Sequence, residues 1–206
     1  VDIEFRPARH ANLEDIKAIL LEEPAPDLRA IARDLATVRR IGSMLAPAGM
    51  LVHIDHTVLA FCDSRCVGLM ETLRSKSNQS LGIGASLMIV ARATWHAGPS
   101  VVRRYLRLTK ARERMAIRIP EGEFDLNELD VHPAFRNRGI GGQMLTQAER
   151  AARADGFPRI WLTTEINNAA RRLYERHGFR VEREARDAGY EAMTGAPGRV
   201  LMVKEW

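Results

Sequence analysis

Cysteine is scarce in this chain: of 206 residues only Cys62 and Cys66 carry a thiol, too few to build a fold from disulfides. Lysine is nearly as rare, at Lys17, Lys76, Lys110 and Lys204, so the formal charge of +5 rests on arginine. Long apolar runs are missing as well. None reaches the ~20 residues of a membrane span, and no membrane partner is expected. The first residues lead directly into a charged, periodic segment without the basic, apolar and small-residue regions of a signal peptide, so the expected location is the cytoplasm. There is no repeat, linker or low-complexity tract, and 206 residues predict a single domain over 1–206.

A zinc site is the first constellation to weigh, because His53, His56, Cys62 and Cys66 are close in sequence. The two pairs lack finger-like spacing, and both cysteines read as strand residues flanking the turn Asp63-Ser64-Arg65. No metal is expected. The positive balance, with a pI near 9.7, would attract an anionic ligand or nucleic acid without choosing between them.

Along the chain, Ile3 to Arg9 alternates as a strand, and Asn12 with Glu14 and Asp15 opens an amphipathic helix through Ile16, Ile19 and Leu20. A second helix is predicted from Pro26 through Leu28, Ile31, Leu35, Val38 and Ile41, ended by Pro47 and Gly49. His56 to Cys62 and Cys66 to Thr72 read as a hairpin. Residues 73–122 form an atypical segment: SKSNQS is loop-like, LGIGASLMIVARATW is apolar without strict period, and Pro99 opens a helix to about Met115. On that helix Val101, Tyr105, Leu108, Ala111 and Met115 share one face, packed within the chain or across a homodimer, while Arg103, Arg107, Lys110 and Arg114 stack on another as a solvated stripe. Phe124, Leu126, Leu129 and Val131 mark a strand. Ile140, Met144, Leu145, Ala148 and Ala152 give a helix stopping at Gly156. Ile160 to Glu165 is a strand, Asn168 to His177 a helix with Ala170, Leu173, Tyr174 and His177 inward, and Phe179 to Glu184 and Val200 to Trp206 are closing strands.

Between the strand at Val131 and the helix at Ile140 the chain reads HPAFRNRG. A glycine-rich helix entry leaves unpaired N–H groups and the positive end of the helix dipole open to an anion. Arg136 and Arg138 add charge at the rim, while Gly139, Gly141 and Gly142 keep side chains out of the way of a phosphate. A nucleoside-triphosphate loop would need glycine-lysine-serine/threonine, which is absent, and a dinucleotide loop would need glycine where Met144 stands.

Val131 to Gly141 reads VHPAFRNRGIG, matching V-x-P-x-x-R-x-x-G-x-G without departure, and Asn167, Ala170, Leu173, Tyr174, Gly178 and Phe179 match N-x-x-A-x-x-L-Y-x-x-x-G-F. The two motifs in this order, with a β-rich strand between them, resemble the GNAT superfamily of acyl-CoA-dependent N-acetyltransferases. The resemblance implies an α/β (α+β) fold, with a mixed central sheet splayed between its middle strands and flanked by helices. It also implies a helical insertion before the strand at 124–131 and a CoA-binding core over 124–206. Acetyl-CoA would be co-substrate, its pantetheine bonded to backbone at Leu129, Asp130 and Val131 and touched by Asn167. Its pyrophosphate would lie on Asn137, Arg138, Gly139, Ile140, Gly141 and Gly142, with Arg136 beside them.

The implied chemistry is attack of an amine on a thioester in a ternary complex, since neither cysteine lies in the motifs. The backbone N–H at Val131 would face the oxyanion, and Tyr174 would protonate the departing thiolate. The base is open among Asp125, Glu128 and Glu165, because Thr163 stands where some members carry glutamate. The amine is unassigned among small molecules, peptide N-termini and lysine side chains, and the N-terminal helices with 73–122 occupy the places where the family builds acceptor pockets. The alternative is a non-catalytic acyl-CoA-binding or nucleic-acid-associated regulator. No nucleic-acid motif supports that alternative, and an intact Tyr174 argues for an enzyme.

Overall fold

Asp63 and Ser64 both sit at positive φ, 48° and 63°, the backbone that a two-residue hairpin turn requires. They join Thr57–Cys62 (β2) to Arg65–Arg74 (β3) in an antiparallel pair, as the two β-rich runs predict. The other strands are Glu4–Pro7 (β1), Phe124–Val131 (β4), Arg159–Glu165 (β5), Arg180–Arg186 (β6) and Gly198–Glu205 (β7). In this computed structural model, which describes residues 2–32, 34–45, 52–74 and 98–206, they form one seven-stranded sheet in the order β1-β2-β3-β4-β5-β7-β6. Every pair is antiparallel except β4 with β5.

The helices are Leu13–Glu22 (α1), Pro26–Ile31 (α2), Leu35–Leu45 (α3), Pro99–Met115 (α4), Ile140–Ala154 (α5), Arg171–Arg176 (α6) and Ala188–Thr194 (α7). One face of the sheet is covered by α5 and α6. There Ile140, Met144, Leu145, Ala148 and Ala152 are buried as their spacing predicts, against Phe124, Leu126, Ile160, Leu162, Val200 and Met202. The other face carries α1 over Leu59, Phe61 and Leu69. Beyond α1, α4 rests on α2 and α7, with Leu108, Ala111 and Met115 against Tyr190 and Ala196. This mixed sheet with its helical segment ahead of β4 is the fold that the two motifs imply.

Several local expectations need correction. The single helix predicted from Pro26 is two: Ala32 turns extended, at φ −113° and ψ 112°. Asp34 then starts α3 by accepting the Thr37 N–H at 2.7 Å, because a short acidic side chain satisfies the first-turn amides better than a continued helix would. The predicted stop at Pro47 and Gly49, like SKSNQS and the apolar tract 81–95, lies outside the described residues. On α1 the buried positions are Ile16, Ile19 and Leu21, with Leu20 only partly covered. On α4, Tyr105 is 50% exposed; it lies on the flank of the stripe centred on Val101, Leu108, Ala111 and Met115, and so does not pack. Arg103, Arg107 and Lys110 face outward as expected.

Helix α7 was not anticipated. Asp187 caps it by accepting the Tyr190 N–H at 2.8 Å, and also receives Arg114 Nε and Nη2 from α4 at 2.8 and 2.9 Å. Replacing Asp187 with alanine removes the cap and the α4 contact together. Urea unfolding should show a loss of about 1–2 kcal/mol, the usual value of an N-cap, with the folded far-UV spectrum retained.

Candidate active site

Only Phe124 with Ile160 and Asp125 with Trp161 pair β4 to β5. Past them β4 continues on β3 to Val131, and β5 continues on β7 to Glu165. The two strands therefore diverge, and each presents one backbone edge to the gap, whose N–H and C=O groups need partners.

A β-bulge decides which side chains line this gap. Thr72 pairs with Leu126 and Glu71 with Glu128, leaving Asn127 as the extra residue of β4. The apolar positions accordingly slip from 124 and 126 to 129 and 131, all of them toward α5. That phase slip is written in FDLNELDV and was a readable sign of the bulge. By alternation Asp125, Glu128 and Asp130 all fall on the opposite face, where Glu71 of β3 and Thr163 and Glu165 of β5 also lie.

The acids on this face are poorly hydrated. Burial pushes Asp125 up to about 7, with Glu71 adding to the rise and Arg199 opposing it. Glu128 is raised by burial first, then by Asp130, Glu71 and Glu165. Asp130 is raised by burial against the pull of Arg136. Glu165 differs: Tyr190 Oη lies 3.4 Å and an Arg199 nitrogen 3.9 Å from its Oε1. Arg199 also donates to Thr163 Oγ1 at 2.8 Å. Asp27 of α2 accepts from Tyr190 Oη at 2.7 Å and pairs with Arg112 at 3.1 Å. Asp27, Tyr190, Arg199 and Glu71 were all missed by sequence reasoning, since they are brought together only by long-range pairing.

Tyr174, on α6, is 7% exposed and its ring packs edge-on to Phe179 with centroids 6.0 Å apart. Its hydroxyl has no hydrogen-bond partner among the described residues. Burial raises its pKa, and Glu128, Asp130 and Glu165 raise it further, so the phenol keeps its proton at neutral pH. The cysteines have no comparable reactivity: burial pushes the Cys66 thiol up to about 11, and it lies against the Gly68 carbonyl at 3.7 Å.

The glycine turn has a division of labour that the sequence reading did not separate. Asn137 at φ 61° and Gly139 at φ 80° shape the loop into α5, and a Cβ on Gly139 would meet nothing within 4 Å. Gly141 and Gly142 do something else. A Cβ on Gly141 would come within 2.9 Å of Leu173 Cδ2, and one on Gly142 within 2.9 Å of His177 Nε2. These two positions also lie against the Leu173 and His177 side chains at the α6 contact. Of the flanking arginines, Arg136 turns back to the Val131 carbonyl at 3.0 Å and to Glu23 at 2.6 Å, and Arg138 lies over the Phe135 ring at 5.1 Å. Asn167 is exposed and donates to the Gly195 carbonyl at 3.3 Å. The open turn and, among the described residues, the free amides of the first turn of α5 and the unpaired edge at 129–131 suit an extended ligand ending in phosphates.

The raised carboxyl of Asp125 has a stability consequence. Its folded pKa, about 7, lies above the ordinary ~3.9 of an unfolded chain. The stability it gives is therefore complete below that value and is lost as pH rises through about 7. Asp125→Asn should raise Tm at pH 8 by at least about 2 °C, the shift that ~1 kcal/mol gives at this size, and leave it unchanged near pH 3.5. Scanning fluorimetry across pH reads both.

The acetyltransferase (GNAT) family model matches residues 105–179. No curated protein matches the chain in sequence. Among solved structures, the chain is similar to the PaiA N-acetyltransferase from Thermoplasma acidophilum in complex with coenzyme A, at 16% identity and TM-score 0.60 over 100% of both chains. It is also similar to arylalkylamine N-acetyltransferase 2 from Aedes aegypti, at 15% identity and TM-score 0.61 over 100% of this chain and 99% of that one. An agmatine N-acetyltransferase aligns at 17% identity and TM-score 0.55 over 100% of both. At such identities the likeness is one of fold. The resemblance to the GNAT superfamily thus holds at three levels: the two motifs, the match over 105–179 that contains both of them, and the fold.

Proposed function

We propose that this chain is an acetyl-CoA-dependent N-acetyltransferase that passes the acetyl group directly to a primary amine in a ternary complex. The observation that carries the proposal is the gap between β4 and β5, with a backbone edge turned toward it, the amino end of α5 at its mouth and, beside it, Tyr174, whose ring is buried and whose hydroxyl has no partner among the described residues. Residues 124–206 form the CoA-binding core of a single domain over 1–206. The pantetheine runs along Leu129, Asp130 and Val131. The pyrophosphate sits on the amides of residues 137–142, with Arg138 free to swing from the Phe135 ring toward it and Asn167 near the arm. Arg136 contributes by holding the Val131 carbonyl and so the strand end. The buried acidic face suits an acceptor that arrives as an ammonium ion.

In the reaction the amine nitrogen attacks the thioester carbonyl, the N–C bond forms and the C–S bond breaks. The Val131 N–H faces the oxygen that gains charge, and Tyr174 gives the thiolate its proton. A carboxylate among Asp125, Glu128 and Glu165 receives the proton of the ammonium. The depressed acidity of both thiols supports direct transfer over an acyl-cysteine route.

A screen of amines that follows release of free thiol from acetyl-CoA tests the activity: turnover with a primary amine supports it, and no thiol release with any amine class refutes it. For binding, Gly139→Val strains the turn at φ 80° while leaving the Leu173 and His177 contacts alone. Calorimetry should give an acetyl-CoA affinity lower by about tenfold or more, that is ~1.4 kcal/mol. For chemistry, Tyr174→Phe preserves the ring and removes the proton. It should keep acetyl-CoA affinity and lower kcat by about 10²–10⁴-fold, the usual range for a general acid; a wild-type rate would make Tyr174 a packing residue only.

A further inference from the structure

Glu71 is the most deeply buried carboxylate of the gap face, with its side chain 0% exposed. It belongs to none of the motifs. His53 Nδ1 lies 2.8 Å from its Oε1, the His53 backbone N–H donates to the same oxygen, and Asn127 Nδ2 donates to Oε2. Two N–H donors and a histidine ring nitrogen therefore converge on this one carboxyl group and fix its place. His53 is half exposed on the far side, and Asn127 is available because the bulge has freed it from the ladder.

Glu71 pairs directly with Glu128 across β3 and β4. Opposed residues in an antiparallel pair have Cβ atoms about 4.5–5.5 Å apart, a range in which a charge is felt strongly once water is excluded. Among the described residues, the groups that act on Glu128 are Asp130 from its own strand, Glu71 from β3, Glu165 from β5 and Tyr174 from α6, with no cation among them. Its rivals are different. Asp125 faces Arg199 as well as Glu71, Glu165 faces Arg199 and Tyr190, and Asp130 faces Arg136 and Glu23.

We propose that Glu71, fixed by His53 and Asn127, is a positioning residue whose charge makes Glu128 the base that receives the proton of the acceptor ammonium. This rests on the N-acetyltransferase reading and selects one carboxylate from the three. Glu128 as carboxylate takes one proton from the ammonium, and the neutral amine attacks. The second N–H proton, lost as the amide forms, replaces the one that Tyr174 gives to the thiolate, and Glu128 returns its own proton to solvent before the next turnover. An ordinary carboxylate near ~4.3 is a poor match for an ammonium near ~10; a neighbouring fixed charge narrows that gap.

The test needs neither acceptor nor turnover. In the full chain carrying 13C-labelled glutamate carboxyls, the Glu128 resonance is the one that Glu128→Gln removes, and it is titrated in wild type and in Glu71→Gln. A wild-type midpoint above pH ~6, falling by about one unit or more in Glu71→Gln with acetyl-CoA affinity unchanged, is the expected result. Should that variant fail to fold, Glu71→Leu serves instead, since an apolar side chain of similar volume suits a buried strand position. A wild-type midpoint near the ordinary ~4.3, or an unmoved midpoint in a folded Glu71 variant, overturns the proposal. With an acceptor from the thiol-release screen, the acidic limb of kcat/KM should move down with the carboxyl. A limb that stays while the carboxyl moves removes Glu128 as base. Failure of the enzyme reading itself shows instead in the screen and in Gly139→Val.

Discussion

Two rows of paired residues join β4 to β5, and the rest of the molecule is arranged around how soon that pairing stops. A parallel pair carried to the ends of both strands would close the sheet and satisfy its backbone internally. Here β4 keeps to β3 and β5 keeps to β7, so the divergence leaves main-chain donors and acceptors at the centre of the protein. Such groups are costly to bury without partners. An extended, amide-containing ligand satisfies them in the way a strand would. The entry to α5 lies at the open end of the same gap because β4 runs into it through a single turn of residues 133–135. Backbone edge and helix terminus are thus supplied by one continuous stretch of chain.

The two faces of the sheet are built to different rules. Toward α5 and α6 there is one continuous apolar cluster, and Gly141 and Gly142 bring the helices together closely enough to pack it. Toward α1, α2, α4 and α7 the described residues form four smaller clusters, with charged side chains between them. Burying carboxylates between apolar patches costs several kcal/mol unless each finds a donor. Glu71 and Asp27 do find donors, from His53 and Asn127 and from Tyr190 and Arg112. Asp125 and Glu128 are answered mainly by raised proton affinity. A face whose carboxyls keep their protons up to the neutral range can exchange them there, and an apolar one cannot.

What the sequence revealed, and what it withheld, divides along contact range. The buried stripe of α5, the hairpin at Asp63-Ser64 and the strand at 124–131 follow from local periodicity and turn chemistry, and each appears where predicted. The acidic side chains of β4 were also legible as candidates. Glu71 was not, because its importance comes from register with a strand more than fifty residues away. The same holds for Arg199, Asp27 and Tyr190, which meet across three elements. Helix α7 was missed because seven residues give too little period to read, though Asp187 and Gly195 mark its ends. Tyr105 was misassigned because helical spacing alone does not tell the centre of a buried stripe from its flank. The contacts of Gly141 and Gly142 with Leu173 and His177 were not legible, because they depend on how α6 packs on α5.

Under the proposed function, the polar seam beneath α2 and α7 bears on acceptor selection. Asp27 sits on α2, Tyr190 on α7, Arg112 on α4, and Arg199 and Glu165 on the ends of β7 and β5 nearest the gap. Arg104 adds a further tie, donating from α4 to the Ile31 carbonyl at the end of α2 at 2.6 Å. These contacts fix three helices to the rim of the gap through charge-assisted hydrogen bonds, whose geometry is stricter than apolar packing. A cover held this way presents a defined wall, so the segments that differ most from a minimal sheet-and-two-helix core are also those placed to define the acceptor side. In the proposed reaction the base Glu128 stands on β4, a central strand with neighbours along its length on β3, whereas the residues that would contact the rest of an acceptor stand on the helices around it. Chemistry and acceptor choice are in that sense carried by different parts of the chain. On the proposed reading, a change in α2, α4 or α7 alters which amine enters without moving Glu128 or Tyr174.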